Sequence, residues 1–363
     1  MSRKQKVQSG QVTLDDVAAA AGVTKTIVSQ VLRDVPYARC RPSTRKRILA
    51  KAKKLNYRPN FFASQIRGER RKVVMLGVAT LDDPFSGAVS AAFEHEVSSQ
   101  GYSLIMGAMQ GKKNAEFVES VVGRHGVLLV AVVGYSSMEI LPDEMLVDLA
   151  ERGVHVVTIA RPAPSPVVSE ITYDNAAAMG GLLDAVVRPG MERIWLLGST
   201  IPRTPWDVGA IRNGAALRHL VGMGLGEKVT LVESGPPEIN IWEGFRTVER
   251  GLALHSRPDL VVCTSDHLAL GCIHAFEDAG LEVGRDVAVT GFNDQPMSAF
   301  MRPQLTTVYV PMAEMGTQAA RLIMDLNEGR RKDPASMILK TEVKLRESHM
   351  RVEAVDHHFP VRK

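Results

Sequence analysis

Only three cysteines, Cys40, Cys263 and Cys272, occur in 363 residues. Their number is odd and their spacing fits neither a zinc site nor a redox pair, which argues against a disulfide scaffold and a thiolate metal centre. Cys263 and Cys272 stand inside apolar runs, where cysteine behaves as a small core residue, and a reducing compartment is expected. No stretch approaches the ~20 uninterrupted apolar residues of a membrane span. The start, MSRKQKVQSGQVTLDD, carries positive charge without an apolar segment behind it, so no secretory signal is read there and the cytoplasm is the expected location. Signatures of catalysis are equally scarce. The cluster Gly222-Met223-Gly224-Leu225-Gly226 has neither the dinucleotide fingerprint nor a phosphate loop and reads as a flexible end to a helix. There is no Gly-x-Ser-x-Gly elbow, and His349, His357 and His358 lie in a charged tail without a cysteine partner. The expectation is a non-enzyme with no cofactor, no metal and no membrane contact.

What is present is a length sufficient for two or three folding units and an ordinary soluble composition, 45% hydrophobic and 23% charged. Charge is unevenly placed. Residues 1–72 hold 18 lysines and arginines against 4 acidic residues, a net of +14, whereas 73–363 carry a net of −10. A basic head is thus joined to an acidic body, and a polyanion is the natural partner of the head. Its basic residues are interleaved with helical apolar periodicity, which distinguishes it from a disordered basic tail.

Thr13 precedes Leu14-Asp15-Asp16-Val17, so a helix is expected to start there, capped by Thr13 and favoured by two carboxylates at its positive end. Leu14, Val17, Ala18 and Ala21 share a face. Gly22 permits a left-handed turn, and Thr24 caps a second helix over about 25–32 with Val28, Val31 and Leu32 apolar. Two short helices about a glycine turn form the helix-turn-helix pattern, in which the second helix enters the major groove. Lys25, Thr26 and Gln30 are its candidate readers, lysine for a guanine edge or phosphate and glutamine for adenine. A third helix is expected from Pro42 to about Leu55, closing a three-helix core with Ile48, Leu49, Ala52 and Leu55. A generic helical hairpin is the competing reading, and the charge of the segment weighs against it.

The run VTLDDVAAAAGVTKTIVSQVL, followed by STRKRI and LNYRPN, resembles the head of the lactose-repressor (LacI/GalR) family of bacterial transcription regulators. The resemblance implies DNA contacts from Thr24, Lys25, Thr26, Ser29, Gln30 and Tyr57. It also implies a hinge helix that forms on operator DNA, with Asn60, Ala63 and Ile66 at the matching positions and apolar side chains wedged into the minor groove. Gln30 stands where arginine is common, Ile66 where leucine is usual, and Arg41 where a serine cap is typical.

Beyond the charged linker 67–72, strand-like runs recur at 73–78, 103–106, 127–133, 154–159, 193–197, 229–232, 260–263 and 287–290. Helix-length segments lie between them, at 87–99, 114–124, 144–152, 175–187, 240–254 and 267–279. The alternation implies parallel sheets with right-handed crossovers, and its length suffices for two of them, with a ligand cleft beyond the carboxyl ends of the strands. The fold class expected is therefore an α/β body of two parallel-sheet subdomains behind a small all-α helix-turn-helix domain. A transport binding protein and a sugar-modifying α/β enzyme share such a body; the basic head and the absent signal argue against the first.

The resemblance extends to about residue 349, through Asp83-Pro84-Phe85, 156–161, Asp174-Asn175, Ser265-Asp266 and Val289-Thr290-Gly291-Phe292-Asn293-Asp294. It implies a body like a periplasmic sugar-binding protein, two subdomains crossed by three connections. The implied boundaries are 1–58 for the DNA-binding domain, 59–72 for hinge and linker, 73–160 plus 293–325 and 161–292 plus 326–349 for the two subdomains, and 350–363 for a tail. The implied effector site holds Asp83 and Phe85, Arg161 at a crossover, Ser265, Asp266 and Asn293. Asp174 and Asp266 have a competing reading as helix caps. Ile211 occupies a place where the family often carries arginine, with Arg212 one step later, and Ala160 and Ile239 replace an aspartate and an aromatic. Arg161, Arg203 and Arg212, with Trp206 as a stacking face, favour an anionic effector such as a sugar acid or phosphate over a neutral hexose. The partners implied are a near-palindromic duplex operator, a carbohydrate-derived effector and a second copy of the chain.

Overall fold

Thr13 starts the first helix as the sequence predicts. Its hydroxyl accepts from the Asp16 N–H at 3.3 Å while the Asp16 carboxylate accepts from the Thr13 N–H at 2.7 Å, a reciprocal capping box at the head of α1 (Leu14–Ala21). Gly22, at φ 62°, ends the helix in the left-handed conformation that glycine adopts without a Cβ penalty. α2 (Lys25–Leu32) follows, then α3 (Pro42–Lys54) with Pro42 in its first turn and no side-chain cap from Arg41. Val17, Ala18, Ala21, Val28, Val31, Ile48 and Ala52 bury one another between the three helices. Leu49, expected on the same face as Ile48, is instead 46% exposed, because one residue along a helix turns it about 100° away from the core.

This computed structural model divides the chain into two compact units, Met1–Arg71 and Lys72–Lys363. It describes residues 12–32, 40–55, 57, 72–81, 83–109, 113–134, 141–202, 207–234 and 240–349.

In the second unit, β1 (Val73–Val78), β2 (Ser103–Ala108), β3 (Leu129–Val133), β4 (His155–Ile159), β5 (Ser169–Tyr173) and β11 (Ser336–Leu339) form one parallel sheet, ordered β11-β5-β4-β3-β1-β2. A second parallel sheet, ordered β7-β6-β8-β9, holds β6 (Ile194–Gly198), β7 (Val229–Glu233), β8 (Leu260–Cys263) and β9 (Ala288–Thr290). β10 (Thr307–Tyr309) and β12 (Glu342–Lys344) pair antiparallel. The helices of this unit are α4 (Pro84–Ser99), α5 (Asn114–His125), α6 (Asp143–Glu151), α7 (Asn175–Val186), α8 (Val208–Gly222), α9 (Ile241–Leu254), α10 (Asp266–Asp278) and α11 (Met312–Glu328).

Helices cover both faces of each sheet, which is why the strands read as unbroken apolar runs. Successive side chains still go to opposite sides: Val74, Leu76 and Val78 join one cluster and Val73 and Met75 another, while Ile194 and Leu196 part from Trp195 and Leu197 in the same way. Cys263 and Cys272 lie in the core with their sulfurs 3.5 Å apart, and burial pushes the Cys263 thiol up, away from reactivity. Among the described residues no helix is long and apolar enough to cross a membrane, and no group of histidine, cysteine, aspartate and glutamate can hold a metal ion.

The sheet order corrects the expected subdomain boundaries. Residues 169–173 and 336–339, assigned from sequence to the second subdomain, are strands of the first sheet, on which β5 pairs with both β4 and β11. The chain therefore passes between sheets near Asp174, along 291–311 and near Lys340. Of the expected hinge and linker, 59–72, only Lys72 is among the described residues, and the tail, 350–363, lies outside them.

Candidate nucleic-acid interface and candidate ligand cleft

On the head, Thr24, Lys25 and Thr26 are exposed at the start of α2 and Gln30 is half-buried one turn further. These positions leave the polar groups available to base edges at the end of the helix that a helix-turn-helix presents to the major groove. Ser29, in contrast, is only 8% exposed: it stands among the packing residues Val28 and Val31, so the expected contact from its side chain is not on the open face. Tyr57 packs against the head core, and its N–H donates to the Ala52 carbonyl at 2.9 Å. Asn60, Ala63 and Ile66 lie outside the described residues, as do Arg203, Trp206 and Ile239.

In the body, the carboxyl ends of β5 in the first sheet and β8 in the second meet at Arg212, and the N-termini of α7 and α10 begin beside them. The expected effector residues fall into two groups. Asp83 caps α4, accepting from the N–H groups of Phe85 at 3.3 Å and Ser86 at 3.0 Å, so its oxygens serve the local helix start. Phe85 is fully buried in the core beneath it and offers no ring face to a ligand, which corrects the expectation. Arg161 follows β4 and is 2% exposed; it stays within the first sheet's body, not at a crossover, because β5 still follows it. Its guanidinium donates to the Leu141 carbonyl at 3.3 Å and pairs with Asp143 in the first turn of α6. Its stem fills the space above Gly134, where a Cβ would sit 2.2 Å from Arg161 Cδ.

The second group converges on Arg212, which is fully buried. Nη1 donates to the Thr264 carbonyl at 2.6 Å at the end of β8, and Nη2 to the Tyr173 hydroxyl at 2.6 Å at the end of β5 and to Asn293 Oδ1 at 3.3 Å. Nε donates to Asn175 Oδ1 at 3.1 Å, and the guanidinium lies 3.8 Å from the centre of the Phe292 ring. Arg212, not Ile211, thus meets the strand ends, and it ties α8 to two of the crossings between the sheets. Asn293 holds its part of that junction at φ 114°, and Asp294 beside it has φ 53° and pairs with Arg346 at 2.7 Å. Left-handed backbone at non-glycine residues is costly and persists where surrounding contacts over-determine it.

Ser265 is the cap of α10, accepting from the Leu268 N–H at 3.3 Å. Asp266, fully buried, is neither a cap nor open to the cleft. It accepts from the Thr307 hydroxyl at 2.6 Å and the Gln295 N–H at 2.7 Å, fastening the second crossing from behind. Burial pushes its carboxyl up to about 7, against the hydrogen bonds of Thr307 and Gln295 that favour the charged form. His267 follows it; burial lowers its imidazole, opposed by the charge of Asp83 on the other lobe. Asp174 caps α7, accepting from the N–H groups of Ala176 at 2.8 Å and Ala177 at 3.0 Å. Sequence reasoning missed Tyr173, Asn175, Thr264 and Phe292 as site residues. Their common signal is position, each within two residues of the carboxyl end of a parallel strand, where ligands of open α/β sheets bind.

Comparison with known proteins bears on both units. Residues 13–60 match the model of "Bacterial regulatory proteins, lacI family", and residues 183–349 that of a "Periplasmic binding protein-like domain". The chain is 26% identical over 339 residues to the transcriptional regulator RegA of Clostridium saccharobutylicum, covering 93% of this chain and 98% of that protein. Among solved structures, the lac repressor dimer bound to operator and the anti-inducer ONPF aligns with a TM-score of 0.81 at 20% identity, covering 94% of this chain and 99% of that one. A complex of the regulator CelR with cellobiose aligns with a TM-score of 0.65 at 24% identity, over 93% and 100%. At these identities the structural likeness speaks to fold.

Proposed function

Because this chain belongs to the lacI family of bacterial regulatory proteins and is a DNA-binding transcription regulator, we propose that it is a cytoplasmic repressor controlled by a carbohydrate-derived effector in the cleft of its body. It binds a near-palindromic operator as a homodimer and catalyses no reaction. The observation that carries this reading is the pairing of a basic three-helix head with a two-sheet body, two of whose three crossings meet at one buried arginine. Thr24, Lys25, Thr26 and Gln30 read base edges, and residues 59–72, with Asn60, Ala63 and Ile66, serve as the hinge. Arg212 and Asn293 form the floor of the effector site. A sugar is supported by the cellobiose, glucose and ribose held in structures of similar fold, and the guanidinium of Arg212 extends the class to sugar acids and phosphates.

Mechanism follows from linkage. An effector that prefers one arrangement of the lobes shifts their equilibrium, and DNA that prefers one arrangement is coupled to it reciprocally. Because Arg212 contacts both lobes' strand ends, a ligand hydroxyl or anionic oxygen competing for its donors acts on the crossings themselves.

The test is thermal unfolding of the full chain with sugars, sugar acids and sugar phosphates. A true effector at about a hundredfold its dissociation constant stabilises by roughly 2.7 kcal/mol. Arg212→Lys, which keeps charge but loses the planar fork, is expected to abolish the shift. Chemical turnover of the stabilising compound, or stabilisation by none of the set, contradicts the proposal.

A further inference from the structure

The recognition helix does not present its first residue alone. The ammonium of Lys25 lies 2.8 Å from the carboxylate of Asp15, in the first turn of α1. Both side chains are more than half exposed, 57% and 66%, so the pair adds little to stability. Asp15 is not needed to start its helix either, since Thr13 and Asp16 complete the capping box. What the pair does is geometric: it joins the opening turns of the two helices and fixes where the flexible stem of Lys25 points.

Asp15 is also a negative charge at the exposed opening of a head that carries a net of +14 over residues 1–72. Facing a duplex, it weakens attraction to every phosphate backbone alike. A group that rejects wrong partners more than it weakens the right one improves discrimination.

The chemistry of base edges says which partner is right. In the major groove a G·C pair presents the acceptors guanine O6 and N7 beside the donor cytosine N4–H, whereas an A·T pair puts the adenine N6 donor and the thymine O4 acceptor in their places. An ammonium held beside a carboxylate is donor next to acceptor, the complement of G·C and a double mismatch for A·T and C·G; T·A also sets an acceptor beside a donor, and is separated from G·C where the ammonium reaches guanine N7, whose place the thymine methyl takes. We propose that Asp15 and Lys25 act as one reading unit that selects a G·C pair in each half-site, Lys25 donating to guanine and Asp15 accepting from cytosine N4. The inference rests on α2 being the recognition helix.

The experiment uses the full chain and an operator obtained by selection from random duplexes, with each base pair then varied singly at fixed salt. The wild type is expected to show one G·C position per half-site at which A·T weakens binding by about tenfold or more. Asp15→Ser, with unfolding temperature retained, reduces that discrimination to under about threefold while other positions keep theirs, and tightens binding to random duplex. Lys25→Ala erases the same position's preference, and the double variant loses no more, the non-additivity expected of a joined pair. Asp15→Ala, which removes the acceptor and leaves the capping box of Thr13 and Asp16 in place, serves as a second variant if the serine form unfolds. Equal changes in affinity for all duplexes with discrimination intact overturn the inference, as does a uniform fall in salt dependence for Lys25→Ala, the mark of a phosphate contact. A wild type that prefers no duplex instead overturns the reading of the head.

Discussion

Asp266 carries a testable consequence at the scale of one residue. Its folded carboxyl titrates at about 7 against an ordinary 3.8, because burial opposes the charged form. Between those values the native state holds a proton that the unfolded chain has released. The stability contributed by that proton is complete below about pH 4 and is lost as pH rises through about 7. Asp266→Asn cannot titrate. Chemical denaturation of wild type and variant is therefore expected to show a larger penalty for the substitution at pH 5 than at pH 8, and a constant difference would contradict the assignment. Single residues are also where the sequence was least legible. Aspartate at a strand end reads equally as ligand donor, cap or buried tie, and here Asp83 is a cap while Asp266 is a tie. Arg212 was recognisable as a cation near the cleft, but not as the meeting point of four polar partners, which only the packing of distant segments creates.

Elements with strong local signals were legible: the capping box and glycine turn of α1, the proline-led α3, and strands buried on both faces. β5 was not, since Ser169-Glu170-Ile171-Thr172-Tyr173 follows a proline-rich stretch and mixes polar with apolar residues, so its place beside β4 comes from sheet register. The short β10, β11 and β12 have too few residues for a periodic signal. Helix contacts set by glycine are similarly silent in sequence until seen in space. α9 and α10 approach through Gly244 and Gly271, where added Cβ atoms would sit 2.2 Å from the Leu268 carbonyl oxygen and 1.9 Å from that of Ile241. Gly271→Ala is expected to lower stability by about 2 kcal/mol or more through overpacking against backbone. Gly87→Ala, in α4 with open space around it, is expected to raise stability by about 0.5–1 kcal/mol. Equal effects in thermal unfolding would refute the account of the helix interface.

For the whole molecule, the division of charge between head and body was the clearest property of the sequence, and it matches the division into two units at Arg71 and Lys72. A cationic, compact reading unit binds duplexes through phosphates, and a few side chains add discrimination; the body supplies ligand control through coupled equilibria. The most direct measurement is equilibrium binding of the full chain to a selected near-palindromic duplex against random competitor, across a range of salt, with and without a stabilising sugar or sugar acid. A preference for the selected duplex is expected, with affinity falling linearly in log–log with salt and changing on addition of effector. Equal binding to all duplexes, with or without effector, would contradict it.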